Sequence, residues 1–196
     1  KTMGYEVAEQ LGWRAPDCVV YPAGSGLSFT RIWKGLNELA MLGLIEPVNT
    51  SMYLTQAAGC SPIVNAFQED TLHVNPVEPG TVAKSIAIGN PADGYYALKV
   101  VRESGGGAYA VTDEEIIAGM KLLAQTEGIF AEATGGAVIA ALKKLAASGT
   151  IKKNELAVAF ITGAGPRTQE TVSDIVQPFT VQPCLESFEE VVGVPV

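Results

Sequence analysis

Apolar residues recur along this chain in two rhythms, one of period 3.6 and one of short unbroken runs. Met3, Val7 and Leu11 stand at helical spacing in an opening segment over 2–11, and Phe29, Ile32, Leu36, Leu39 and Ala40 share one face of a predicted helix over 29–42. Between them, Cys18-Val19-Val20-Tyr21-Pro22 is too short for a helix and reads as a buried strand over 18–22, giving a first βα unit. A second follows: a strand over 52–55, a Gly59-Cys60 turn, and a helix with Ser61 as N-cap and Pro62 at its first position, running through Phe67. Residues 70–80, with Pro76, Pro79 and Gly80, form a surface loop. A short helix near 82–88, the punctuation Gly89-Asn90-Pro91 and a helix over 92–103 come next. Gly105-Gly106-Gly107 turns into a strand over 108–111, and Thr112 with Glu115 makes a capping box that opens a helix to about residue 127. An irregular stretch over 128–134 precedes an alanine-rich helix over 135–147. A strand over 156–161 then ends at Thr162-Gly163-Ala164-Gly165-Pro166. The tail from Gln177, with Pro178, Pro183 and Pro195, reads as an extended wrap or short accessory element, dividing the chain into 1–176 and 177–196.

Strands that alternate with helices and are apolar on both faces specify a parallel sheet covered on both sides, a three-layer α/β domain. Ligands bind such sheets beyond the carboxyl ends of the strands, where the loops 24–28 and 162–165 fall. With 196 residues and 47% hydrophobic content the chain can bury one substantial core. Only 17% of residues are charged, and 21 acidic against 13 basic side chains give a formal charge of -8 with no Lys/Arg cluster. Nucleic acid and anionic membranes are therefore excluded as partners. Cys18, Cys60 and Cys184 are odd in number and lack metal-ligand spacing, so no metal site is expected and a reducing, cytoplasmic setting is the simplest reading. The helical pattern begins at Thr2 with no apolar leader ahead of it, which suggests a fragment.

Gly24-Ser25-Gly26, between a buried strand and a helix, lets the backbone approach an anion while the free N–H groups of the helix start face it. A tight turn without a ligand is the alternative. The loop lacks the third glycine of a dinucleotide fingerprint and the Gly-Lys-Ser/Thr of an NTPase loop. Ser25 and Ser28 add hydroxyl donors, and Ser28 also fits a plain N-cap. Elsewhere, the lone His73 reads as surface, Trp33 and Tyr95-Tyr96 as packing residues, and Glu186, Glu189 and Glu190 as a solvated helix face.

A run of blocks gives the loop its context. Lys1-Thr2-Met3-Gly4-Tyr5-Glu6, Glu9-Gln10-Leu11-Gly12-Trp13, Pro16-Asp17, Gly24-Ser25-Gly26, Ile32-Trp33-Lys34-Gly35, Gly59-Cys60-Ser61-Pro62-Ile63-Val64 and Ile88-Gly89-Asn90-Pro91 stand in series. Arg102-Glu103-Ser104-Gly105-Gly106, Val111-Thr112-Asp113-Glu114-Glu115-Ile116, Glu127-Gly128-Ile129-Phe130 and Thr162-Gly163 continue it. In order and spacing these resemble the threonine synthase family, pyridoxal-phosphate enzymes of the tryptophan-synthase-β-like fold, over about residues 1–170.

The resemblance implies an incomplete type II pyridoxal-phosphate fold and pyridoxal phosphate as cofactor, with Gly24, Ser25, Gly26, Leu27 and Ser28 around its phosphate and Thr162 at its pyridine nitrogen. Leu27 departs from the small residue usual there. Asn90 and Glu132 match substrate-pocket positions, though Asn90 also suits a plain turn and Glu132 a solvated loop. Glu132 belongs to a block normally written Glu-Pro-Ala-Ser-Ala, replaced here by Glu132-Ala133-Thr134-Gly135-Gly136, and Ala164-Gly165-Pro166-Arg167 departs from a His-Gly-Leu-Lys-like continuation. The lysine that bonds the cofactor sits in a Ser-Phe-Lys-Asp-like motif absent from these residues, so no catalytic residue is expected here. Lys34, Lys84, Lys99, Lys121, Lys143, Lys144, Lys152 and Lys153 fall on helices or polar turns.

The function implied for the whole enzyme is conversion of O-phosphohomoserine and water to threonine and phosphate, the fragment being inactive without the N-terminal half of the same protein. A threonine dehydratase, a cysteate-synthase-like enzyme and a non-catalytic phosphate-binding module are the alternatives. Oligomeric state stays open, a homodimer included.

Overall fold

Four parallel strands form the centre of the molecule: β1 (Cys18–Pro22), β2 (Ser51–Ala57), β3 (Gly107–Val111) and β4 (Ala157–Ala159), in the order β3-β2-β1-β4. The structure, a computed structural model, describes residues 1–173 and 179–193. The register pairs Cys18 with Ser51 and with Ala157, and Tyr53 with Gly107, so the carboxyl ends of all four strands point one way. Pro22 closes β1 because it has no N–H to extend a ladder. The next residue, Ala23, makes a last bond from its N–H to Thr55 O at 2.9 Å, and the chain then leaves the sheet.

Strand alternation divides the core. Val19 and Tyr21 of β1 and Met52 and Leu54 of β2 face α1 (Thr2–Gln10), α2 (Leu27–Met41), α3 (Pro62–Gln68) and α4 (Gly94–Glu103). Cys18, Val20, Tyr53 and Ala57 face α5 (Asp113–Glu127) and α6 (Ala133–Ala147). The architecture is the three-layer α/β class expected. A further helix, α7 (Leu185–Val192), has no buried residue. The expected division after residue 176 falls at 174–178, outside the described residues, as does Pro195.

Several boundaries differ from the sequence reading, each for a local reason. Helix α2 begins at Leu27, two residues early, because Gly26 takes the N-cap in a left-handed conformation; Ser28 is therefore inside the first turn and is not the cap. Ser61 does precede α3, but its hydroxyl makes no cap bond. That work falls to Gln56, whose Oε1 accepts the N–H groups of Ile63 at 2.9 Å and Val64 at 3.2 Å. The segment expected as a helix near 82–88 holds only one 3-10 turn, Lys84–Ile86, since Asp113 takes the Val82 N–H and the Thr81 hydroxyl. Helix α6 starts two residues early with Glu132 as its N-cap, and β4 is cut to three residues. Tyr95 and Tyr96, expected to pack, are 47% and 59% exposed and touch each other edge to face.

Candidate functional site

The glycine loop is held from three directions while its own donors are left free. Gln56, fully buried in β2, donates from Nε2 to Ala23 O at 3.1 Å, one residue before the loop. The Asp93 N–H donates to Ser25 O at 3.0 Å, tying the start of α4 to the loop's middle. Ile86 and Ile88 lie against Gly24, where a Cβ would meet Ile88 Cδ1 at 2.9 Å and Ile86 Cα at 3.3 Å. Gly26 has φ of +88°, which favours glycine, and a Cβ there would stand 3.1 Å from Asp93 O. The N–H groups of Gly24, Ser25, Gly26 and Ser28 meet no acceptor among the described residues, while Leu27 N–H is engaged by Ser25 Oγ at 3.3 Å. Unengaged donors at a helix start, all on residues lining one hollow, have the chemistry that suits an anion.

That hollow, about 210 Å³, lies beyond the carboxyl end of β1 and brings Gly24, Ser25, Gly26 and Ser28 together with Thr162. Its remaining wall is Ser85, Ile86, Ile88 and Thr134, with Tyr21, Pro22 and Ala23 beneath. Among the described residues no Asp, Glu, Lys, Arg or His lines it, so an anion there would be met by neutral donors and by the α2 dipole. Thr162 is half-buried, and its hydroxyl has no hydrogen-bond partner among the described residues.

The other candidates separate. Leu27 is 43% exposed on the outside of α2 and does not line the hollow. Asn90 is exposed and also outside it, two residues beyond Ile88, which does line it. Glu132 is not the solvated residue that was one reading: it is 2% exposed beneath the Thr162-Gly163 turn, and its N–H donates to Gly163 O at 3.2 Å. Ser85 donates to Glu132 Oε2 at 3.0 Å, and Arg167 Nε lies 3.6 Å from the same oxygen. Glu132 does not itself line the hollow, but it accepts a hydrogen bond from Ser85, which does. Among the described residues no lysine lines the hollow. His73 is exposed. Burial pushes the Cys18 thiol up to about 11, with Glu155 and Asp17 adding to it, and raises that of Cys60; both are inert core thiols.

Gln56, Ser85 and Thr134 were not singled out from sequence. For Gln56 the signal was present: a carboxamide inside an apolar strand, Met52-Tyr53-Leu54-Thr55-Gln56-Ala57, needs buried partners. Nothing in the sequence marked Ser85 or Thr134, whose places depend on chain 45 or more residues from the loop.

The family model described as pyridoxal-phosphate dependent enzyme matches residues 1–163. The chain belongs to this pyridoxal-phosphate-dependent family. Among curated proteins of the family, the chain is 42% identical over 182 residues to a threonine synthase of Methanosarcina acetivorans, covering 92% of this chain and 45% of that protein. It is 43% identical over 166 residues to a threonine synthase of Methanocaldococcus jannaschii, covering 84% and 41% respectively. The chain thus spans about half the length of the curated relatives it matches. Among solved structures of the type II pyridoxal-phosphate fold, the processed form of threonine deaminase isoform 2 from Solanum lycopersicum superposes with TM-score 0.70 at 21% identity, over 90% of this chain and 48% of that one. A fungal L-serine ammonia-lyase from Rhizomucor miehei gives 0.68 at 15%, over 89% and 55%. These two likenesses bear on the fold.

The residues present suit the family's cofactor. A phosphate needs several aligned N–H donors and close backbone, which the 24–28 loop offers, and a pyridine nitrogen needs a polar partner, which Thr162 offers.

Proposed function

We propose that this chain is the cofactor-phosphate-binding portion of a threonine synthase, an enzyme converting O-phosphohomoserine and water to threonine and phosphate. The observation that carries this reading is one hollow holding both the unengaged N–H groups of the 24–28 loop and the Thr162 hydroxyl, in a chain 42% identical to a threonine synthase. We assign residues 1–176 to the cofactor unit and 177–196 to an accessory element.

The cofactor, when bound, supplies an electron sink for removing protons from the carbons of an amino-acid substrate. Gly24, Ser25, Gly26 and Ser28 hold its phosphate through N–H donors, and the hydroxyls of Ser25 and Ser28 stand beside them. Thr162 offers the ring nitrogen a neutral hydroxyl, which unlike a carboxylate does not stabilise a proton on that nitrogen. Ile86 and Ile88 cover the Gly24 side of the loop with apolar side chains. Glu132 fixes Ser85 at the rim. The lysine that bonds the cofactor comes from outside this chain, and this chain alone is inactive.

The test is product analysis with the full-length protein. Release of phosphate from O-phosphohomoserine supports the reading; ammonia from threonine without phosphate release replaces it by a dehydratase. An intact reading frame without a Ser-Phe-Lys-Asp-like block ahead of Lys1 sinks the enzymatic reading.

A further inference from the structure

Helix α7 has an apolar face with nothing packed on it. It is 8 residues long, and a helix that short is held in water by packing of its apolar face rather than by its own backbone bonds. Leu185, Phe188 and Val192 stand at i, i+3 and i+7 and are 66%, 47% and 49% exposed, and α7 buries no residue. Glu186, Glu189 and Glu190 take the flank beside this stripe, and α7 carries no basic residue.

A matching groove lies between α5 and α6, on the side away from the sheet. The two helices approach closely at Gly119 and Gly136, where a Cβ on Gly119 would stand 2.3 Å from Gly136 O. The groove measures about 530 Å³ and is floored by Ala118, Gly119, Leu122, Ile139, Ala140 and Ala147, mostly small side chains that leave it depth. Its rim carries Lys121, Lys143 and Lys144 against one carboxylate, Glu115, which Lys144 meets at 2.7 Å. From Glu115 to Gln125 the groove follows α5 for about 15 Å, and α7 is about 12 Å long. No α7 residue lines the groove, so α7 does not fill it on its own chain.

We propose that the α5–α6 groove is the docking site for α7 of a second copy of this protein, exchanged reciprocally about a twofold axis. Leu185 and Phe188 enter the apolar floor, and Glu186, Glu189 and Glu190 meet the lysine rim. The signs match: the rim has a formal charge of +2 and α7 one of -3, in a chain whose total is -8 and whose surface elsewhere would repel an acidic helix. Plug and socket both belong to this chain, so a pair satisfies both at once, whereas any other occupant of the groove leaves α7 exposed. The contact uses none of the residues of the 24–28 hollow and is independent of the cofactor reading.

The experiment uses the full-length protein. Cys184, the exposed N-cap of α7, is a native handle, while Cys18 and Cys60 are buried. Gln125→Cys and Ala147→Cys, made separately, place a thiol at either end of the groove. A short bismaleimide joins thiols that come together; gel electrophoresis and peptide mass spectrometry identify the link, and sedimentation measures self-association. The expected result is a dimer in which one of the two variants gives a link from Cys184 to the groove of another chain, lost in Cys184→Ser. Phe188→Asp, at an exposed position that the fold does not need, should raise the dimer dissociation constant about 10-fold or more and abolish the link. Lys143→Glu should weaken association about 3- to 10-fold, and added salt should weaken it in wild type.

A monomeric wild type overturns the proposal. A link from Cys184 to the groove within one chain overturns it by placing α7 in its own groove. No link at either end of the groove overturns it by giving the groove to another part of the protein, and a dimer indifferent to Phe188→Asp overturns it by moving the interface elsewhere.

Discussion

Gly26 meets two demands at once: a backbone angle that side chains rarely adopt and a wall, Asp93 O, 3.1 Å from where a Cβ would stand. Aspartate there adds a carboxylate beside N–H groups that await an anion. Gly26→Asp in the full-length protein is expected to lose pyridoxal phosphate on gel filtration, read from the cofactor's absorbance, and normal retention would refute the cradle. Gln56 acts from behind the loop. Gln56→Leu strips Ala23 O, Ile63 N–H and Val64 N–H of a buried partner, and is expected to lower stability by about 2–4 kcal/mol by chemical denaturation. A change below about 0.5 kcal/mol would show that these bonds do not hold the loop. The loop was readable from sequence because glycine, serine and a helix start lie within five residues. Glu132 was readable only as a choice between loop and site, because Ser85 and Arg167, the partners that settle it, lie 47 and 35 residues away.

Helix α5 shows what local sequence specifies well. Its capping box is present as read: Thr112 Oγ1 accepts Glu115 N–H at 3.3 Å, and Glu115 Oε2 accepts Thr112 N–H at 2.9 Å. Thr112→Ala is expected to cost about 1 kcal/mol in a denaturation experiment. Sequence did not reveal that the same Glu115 carboxylate also ties α5 to α6, through Lys144 Nζ at 2.7 Å. That ammonium is the main reason the carboxyl titrates below its usual range, with the Thr112 N–H adding to it. A pKa lowered on folding gives stability that is present above the unfolded value, near 4.3, and lost as pH falls through the folded one. Glu115→Gln keeps a capping oxygen but removes the charge. Its deficit, about 0.5 kcal/mol or less for so exposed a pair, is expected at pH 7, shrinks as pH falls below about 4.3 and vanishes once pH is below the lowered folded value. A deficit that persists in acid would assign the effect to lost packing. The elements that sequence misjudged, the 3-10 turn Lys84–Ile86 and the early start of α6, are set by Asp113, Gly163 and Thr168, all distant along the chain.

At the scale of the molecule the order of strands, β3-β2-β1-β4, puts β1 inside the sheet, and its carboxyl end becomes the floor of the hollow. The loops after β1 and β4 then stand side by side, which brings residues 24–28 and Thr162 together although more than 130 residues separate them. Among the described residues, neither a lysine nor any other ionisable amine lines the hollow. A cofactor held here by backbone donors alone has its phosphate fixed and its reactive carbon unbonded. The isolated chain is therefore expected to bind pyridoxal phosphate weakly and reversibly, with borohydride failing to fix the cofactor to it, whereas the full-length protein should be labelled at one lysine outside residues 1–196. Mass spectrometry of the reduced, digested protein decides the matter. Label on Lys84, the lysine next to the rim residue Ser85, would sink the division of the site between this chain and the rest of the protein, because Lys84 is now engaged with Glu170 at 3.1 Å and would have to leave it to reach the hollow.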